Sequence, residues 1–159
     1  MEEKDSFAVW MADTVLRANN QDIEADLLMS MAEEAVSPAA FDEALKAAST
    51  SETRPGDMGL EFLGPLLPVV LVEFGRLVWQ AYAKSLMEEG AKAAAAATID
   101  AVKSLVKKSF AHAPDAPPMS DIENSLRAAA AKAGVKADVT EQLVASLRSQ
   151  AVTAVVAKG

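Results

Sequence analysis

The chain carries one imidazole, His112, and no thiol. A lone histidine works as a general acid or base only where a pocket and an orienting partner hold it. His112 sits instead in residues 111–119, a linker stiffened by three prolines. Without cysteine, disulfide frameworks, zinc–thiolate sites, iron–sulfur clusters and thiol nucleophiles are excluded. Adjacent carboxylates occur at Glu33–Glu34, Asp42–Glu43 and Glu88–Glu89. Neighbours on a helix point about 100° apart, so these pairs do not converge on one site. Glu73 and Arg76, three apart, can pair with each other along one helix. There is no phosphate-binding glycine loop, dinucleotide fingerprint, nucleophile elbow or Glu-x-x-His metal pair. The expectation is no catalytic residue, no cofactor and no metal.

What remains is chemistry of association. Methionine adapts to irregular surfaces, and Met11, Met29, Met31, Met58, Met87 and Met119 are internal. Aromatic and large aliphatic side chains anchor interfaces. Trp79, Leu86 and Met87 on the most apolar segment, with Leu143 and Leu147 near the C-terminus, are therefore the candidate interface residues, provided they stay exposed.

Charge narrows the partners. The chain of 159 residues has a formal net charge of −8. Residues 1–61 hold 14 acidic and 4 basic side chains; residues 62–159 hold 9 and 11. A general nucleic-acid binder needs clustered cations, so none is expected. The two parts can attract each other within or between molecules. The N-terminus lacks a basic start followed by an apolar core, and the default location is cytoplasmic.

The elements that position these residues are helices. The chain holds 33 alanines, the strongest helix former, and no sustained period of two. The fold expected is all-α: a compact bundle of about six to seven helices with a C-terminal helical hairpin after a Pro-rich linker. The bundle occupies residues 1–110, and the hairpin, able to dock on it, residues 120–159.

The first helix spans about residues 3–18, with Phe7, Trp10, Met11, Thr14, Val15 and Ala18 on one face. Asn19–Asn20 marks a turn. The second spans 21–36, with Ile23, Leu27, Leu28, Met31 and Ala35 inside. Ser37–Pro38 restarts a third helix carrying Phe41, Leu45 and Ala48. A polar linker covers 49–59. The central helix follows near 66–89, with Pro65 and Pro68 at or before its first turn. Its polar residues Glu73, Arg76, Gln80, Lys84 and Glu88 form one narrow stripe, and apolar residues cover the rest, the pattern of a helix at a bundle's centre. A break at Gly90 is expected, because the stripe changes sides beyond it. The next helix, 91–110, uses Ala95, Ile99, Val102, Val106 and Phe110. Ser120–Glu123 reads as a capping box, Gly134 as a left-handed C-terminal stop with Val135 beside it, and Asp138–Glu141 as a second cap. The last helix is expected to run unbroken to about residue 157.

These features give a non-enzymatic helical interaction or adaptor module that binds protein partners or itself, with self-association into an oligomer the expectation. Alanine-rich helices bury little apolar area each, which favours added partner surface. The alternative is a conditional membrane-active effector using residues 62–83, centred on Leu66, Val70, Phe74 and Tyr82, with the membrane a less favoured partner. A spanning helix needs about 20 apolar residues, and Glu73 and Arg76 interrupt this one. A second alternative is a small ligand-binding bundle, since bundle interiors can hold ligands without a sequence signature.

Overall fold

The computed structural model describes residues 3–49, 66–88, 98–114 and 116–158. Eight helices lie among them: α1 (Glu3–Ala18), α2 (Asp22–Glu34), α3 (Pro38–Ser49), α4 (Leu66–Glu88), α5 (Ile99–Phe110), α6 (Met119–Lys132), α7 (Ala137–Leu147) and α8 (Gln150–Lys158). The fold is an all-α bundle, with one helix more than the upper expectation. The linker at 50–65 and the break expected at Gly90 lie outside the described residues, as do Met58 and Ala95.

α4 is the axis of the bundle. It packs most extensively on α1, next on α6, and also touches α2, α3 and α5. Leu67, Val70, Leu71, Val72, Phe74, Val78, Tyr82 and Ala83 are all buried. Gln80 and Lys84 on the polar stripe are exposed. Pro68 falls in the first turn, where its missing N–H has no intrahelical partner to lose.

α1 is equally central. Nine of its residues are buried, including Ala8, Val9, Ala12 and Leu16 beside the expected Phe7, Met11, Thr14 and Val15. It meets α2, α4, α5 and α8, so a single apolar stripe would not satisfy it. The α1–α4 crossing is close because Gly75 faces Ala8. A Cβ at Gly75 would lie 2.6 Å from the Ala8 Cα and 3.0 Å from its carbonyl oxygen.

Three helix ends share one device. After α1, α5 and α6, the residues Asn20 (φ 61°), His112 (φ 57°) and Gly134 (φ 80°) adopt the left-handed conformation. In each case the next N–H reaches back five residues: Gln21 to Leu16, Ala113 to Lys108 and Val135 to Ala130. This is the Schellman closure, and it satisfies carbonyls the helix leaves over. Two of these stops were legible as turns. His112, the one imidazole, is the third, and its backbone has a structural role there.

Both expected capping boxes are displaced. α6 starts at Met119 and α7 at Ala137, and neither has a side-chain cap from Pro118 or Lys136. The two glutamates bridge helices instead. Glu123 accepts three hydrogen bonds from Arg148, the shortest 2.6 Å. Glu141 accepts two from Arg127, at 3.1 and 3.2 Å. With the caps at Pro118 and Lys136, both glutamates fall past the first turn, and each takes a two-pronged guanidinium contact.

The last expected helix is two. α7 ends at Leu147, and Ser149 caps α8, its hydroxyl accepting from the Val152 N–H at 3.2 Å. The break turns α8 onto α1 and α5 and buries Val152 and Val156. A continuous helix would carry those valines away from the core. Residues 120–158 thus form three helices rather than a hairpin.

Tyr82 joins α4 to α5 and the Pro-rich linker. Its hydroxyl lies 2.8 Å from the Ser109 hydroxyl, which donates to the Pro117 carbonyl at 2.7 Å. Ser109 having used its proton, Tyr82 is the donor between them. Burial leads in pushing the Tyr82 pKa up to about 12, and Asp121 adds to the shift.

Candidate interaction surface

α2 is the exception in this bundle. Only Ala25 and Leu28 are buried along its 13 residues. Ala32, Met29 and Met31 pack partly against the core. Ile23 is 81% exposed and Leu27 51% exposed, and Val36 just beyond the helix is 94% exposed. At about 100° per residue, Ile23 and Leu27 lie one turn apart on the side opposite Ala25 and Leu28. The expected inward face therefore splits. Ala25 and Leu28 face the bundle, and Ile23 and Leu27 are left outside.

The surroundings of that pair are acidic. Asp22, Glu24, Asp26, Glu33 and Glu34 belong to α2. No Lys, Arg or His occurs between residues 18 and 45. Arg17 reaches in from α1, bonding Asp13 at 2.9 Å and Asp26 at 2.8 Å. The Asp26 hydrogen bond leads in raising the Arg17 pKa above its ordinary value. Among the described residues, no ion pair engages Asp22, Glu24, Glu33 or Glu34.

The interface residues expected from sequence are placed differently. Leu143 and Leu147 are buried, lining a narrow crevice with Leu16, Leu71 and Leu126, so the proviso of exposure is not met. Trp79 is half-buried with its ring 5.7 Å from Phe7. Phe7 in turn lies 5.6 Å from Trp10, over which the Lys103 ammonium sits at 4.9 Å. The side chains of Leu86, Met87 and Leu66 lie outside the described residues. Ile23 and Leu27 were missed because a 3.6-residue period allows two faces on α2. Side-chain size does not separate them, because the buried Leu28 and the exposed Leu27 are the same residue type; only the placement of the neighbouring helices does.

The residues of the membrane reading are interior. Val70, Phe74 and Tyr82 are all buried in the one core. Glu73 and Arg76 do not pair with each other. Lys132 reaches Glu73 at 2.9 Å, while Arg76 binds Asp5 at 2.9 Å and Asp42 at 2.6 Å. Burial opposes the Arg76 charge, but Asp42 and then Asp5 more than offset it and raise its pKa. Releasing α4 would break all three contacts. No helix among the described residues is long and apolar enough to cross a membrane.

Beside an open polar cleft of about 350 Å³ around Lys4, Asp5, Gln80 and Arg76, two further clefts among the described residues bear on ligand binding. One of about 260 Å³ lies between α3, α4 and α6, with Leu45, Val69, Val70 and Ala129 as its floor and Asp42, Glu73, Arg76 and Lys132 at its rim. Arg76 pairs with Asp42 and Asp5, Lys132 pairs with Glu73, and Lys46, itself not free, also lines the cleft. The other, about 250 Å³, is lined by Phe110, His112, Met119, Glu123, Leu147, Arg148 and Thr153. There Arg148 holds Glu123, and among the described residues no hydrogen bond orients the His112 ring. No group of three or more metal-ligating side chains occurs among the described residues. Comparison with protein-family models, curated proteins and solved structures finds no match.

Proposed function

We propose that the chain is a non-enzymatic helical interaction module that docks a protein partner on the outer face of α2. The observation that carries this reading is the exposure of Ile23 and Leu27 on a helix that buries only Ala25 and Leu28. Large apolar residues set one turn apart and away from the core gain nothing for the fold. They gain on covering by a partner, which removes their apolar area from water.

The reading favours a partner over a second copy at this face. A symmetric dimer places the same patch against itself, and here that sets carboxylates against carboxylates. The rim charges of the α3–α4–α6 cleft are already matched, which supports the docking reading over the ligand-binding one.

Photo-crosslinking in the source cells tests it. A benzophenone side chain at Leu27 is expected to yield a discrete protein adduct. The same group at Ser104, exposed on α5, is expected to yield none. Equal adducts at both positions, or none at Leu27, would overturn the reading. Light scattering on the purified chain reports in parallel whether the adduct is with itself.

A further inference from the structure

We infer that the outer face of α2 receives a basic amphipathic helix, with Ile23 and Leu27 meeting its apolar side and Asp22, Glu24, Glu33 and Glu34 meeting its lysines or arginines. This rests on the reading of α2 as the docking face and adds the chemistry of what docks there.

Three observations point the same way. The first is geometric. Ile23 and Leu27 are separated by one helical turn, and the half-buried Met31 follows one turn later at the edge of the face. Groove and helix anchors recur at that spacing. A helix of 13 residues is about 20 Å long, which suits a partner of three to four turns.

The second is electrostatic. Four carboxylates flank the apolar pair with no cation matched to them among the described residues. An anionic membrane surface or a nucleic acid would be repelled by this face, and a basic helix attracted.

The third is that two of those charges work against α2 itself. The C-terminal end of a helix carries partial negative charge and favours cations. α2 ends on Glu33 and Glu34, with no basic residue in its last turn, and its first turn has no side-chain cap from Gln21. Asp22 and Glu24 at the N-terminus are explained by the helix dipole. Glu33 and Glu34 are not. A cationic side chain docked beside them supplies the charge that the last turn lacks.

The test uses the full chain and three labelled peptides of about 14 residues, matched to the length of α2. One is an amphipathic Leu/Lys helix. A second has Glu in place of Lys. A third keeps the Leu/Lys composition but permutes it so that no apolar face forms. Fluorescence anisotropy at low and high salt reads binding. The amphipathic basic peptide is expected to bind about tenfold more tightly than the permuted one and to weaken in salt. The paired substitutions Ile23→Ser and Leu27→Ser should weaken it about tenfold. Glu33→Gln with Glu34→Gln should weaken it less and flatten its salt dependence. Circular dichroism melts check that both exposed-site variants stay folded, and amide chemical shifts should move on α2. Equal binding of the acidic peptide, equal binding of the permuted peptide, or unchanged binding by the serine variant overturns the inference. If the Leu27 crosslink captures a protein while no basic peptide binds, the docking face stands and the basic-helix chemistry falls. If neither occurs, both fall.

Discussion

α4 and α2 are both apolar enough to be core helices, yet they sit at opposite extremes of burial. α4 is enclosed by neighbours, and its aromatic and branched residues disappear from solvent. α2 touches fewer neighbours and leaves Ile23 and Leu27 largely outside. The difference lies in how closely each can be approached. Gly75 on α4 lets α1 come within backbone contact, so the surrounding side chains interlock. α2 makes its contact through Ala25 and Leu28, and a helix so lightly seated has spare apolar surface. Apolar content alone therefore does not mark the core. How many neighbours enclose a helix does.

The sharpest way to break this comparison is truncation. Phe74→Ala should destabilise the fold by about 3–5 kcal/mol, whereas Leu27→Ala should stay within about 0.5 kcal/mol, both read by denaturant titration. A large loss at Leu27 would mean that α2 is as integral as α4. Next comes Gly75→Ala. In a free helix this exchange stabilises by about 1 kcal/mol. Here the added methyl meets the Ala8 backbone, so a net loss of about 2–3 kcal/mol is expected, lowering Tm by about 6–10 °C.

Hydrogen exchange then compares the helices directly. Amides of α2 should exchange through local opening, much faster than those of α4, which should open only with the whole molecule. Equal protection in both would remove the contrast.

Tyr82 offers a finer probe of the α4 side, because it is the one tyrosine in the chain. Its pKa is raised from 10.0 to about 12. A pKa raised in the folded state gives stability that is complete below the unfolded value and lost as pH climbs through the folded one. Tyrosinate absorbance should thus rise near pH 12 in the native protein and near pH 10 in denaturant. Tyr82→Phe should lessen the loss of stability between those two values. Native ionisation near pH 10 would place Tyr82 in water. The smallest effect belongs to His112→Gly. The left-handed backbone there favours glycine, so a gain of about 0.5–1 kcal/mol is expected in thermal melts. A loss would show that the imidazole itself contributes.

Apart from the α7–α8 break, the helices were legible in the residues. Alanine content and 3.6-residue spacing made the chain helical, Ser37–Pro38 started α3 where expected, and Gly134 stopped α6 in the left-handed form. These are local matters of propensity, capping and backbone freedom, settled within a turn or two. The central position of α4 was legible too, because its polar stripe is narrow.

Tertiary structure alone decided which of several permitted partners each group took. Glu123 and Glu141, which read as capping residues, lie beyond the first turn and bind Arg148 and Arg127. Glu73 and Arg76, neighbours on one helix, each turned to a different element. Ser149 broke a pattern that read as one helix, because only a turn there brings Val152 and Val156 to the core. The outward face of α2 was decided in the same way. Periodicity defines a direction along the helix, but only the neighbour's shape selects which side of it is covered.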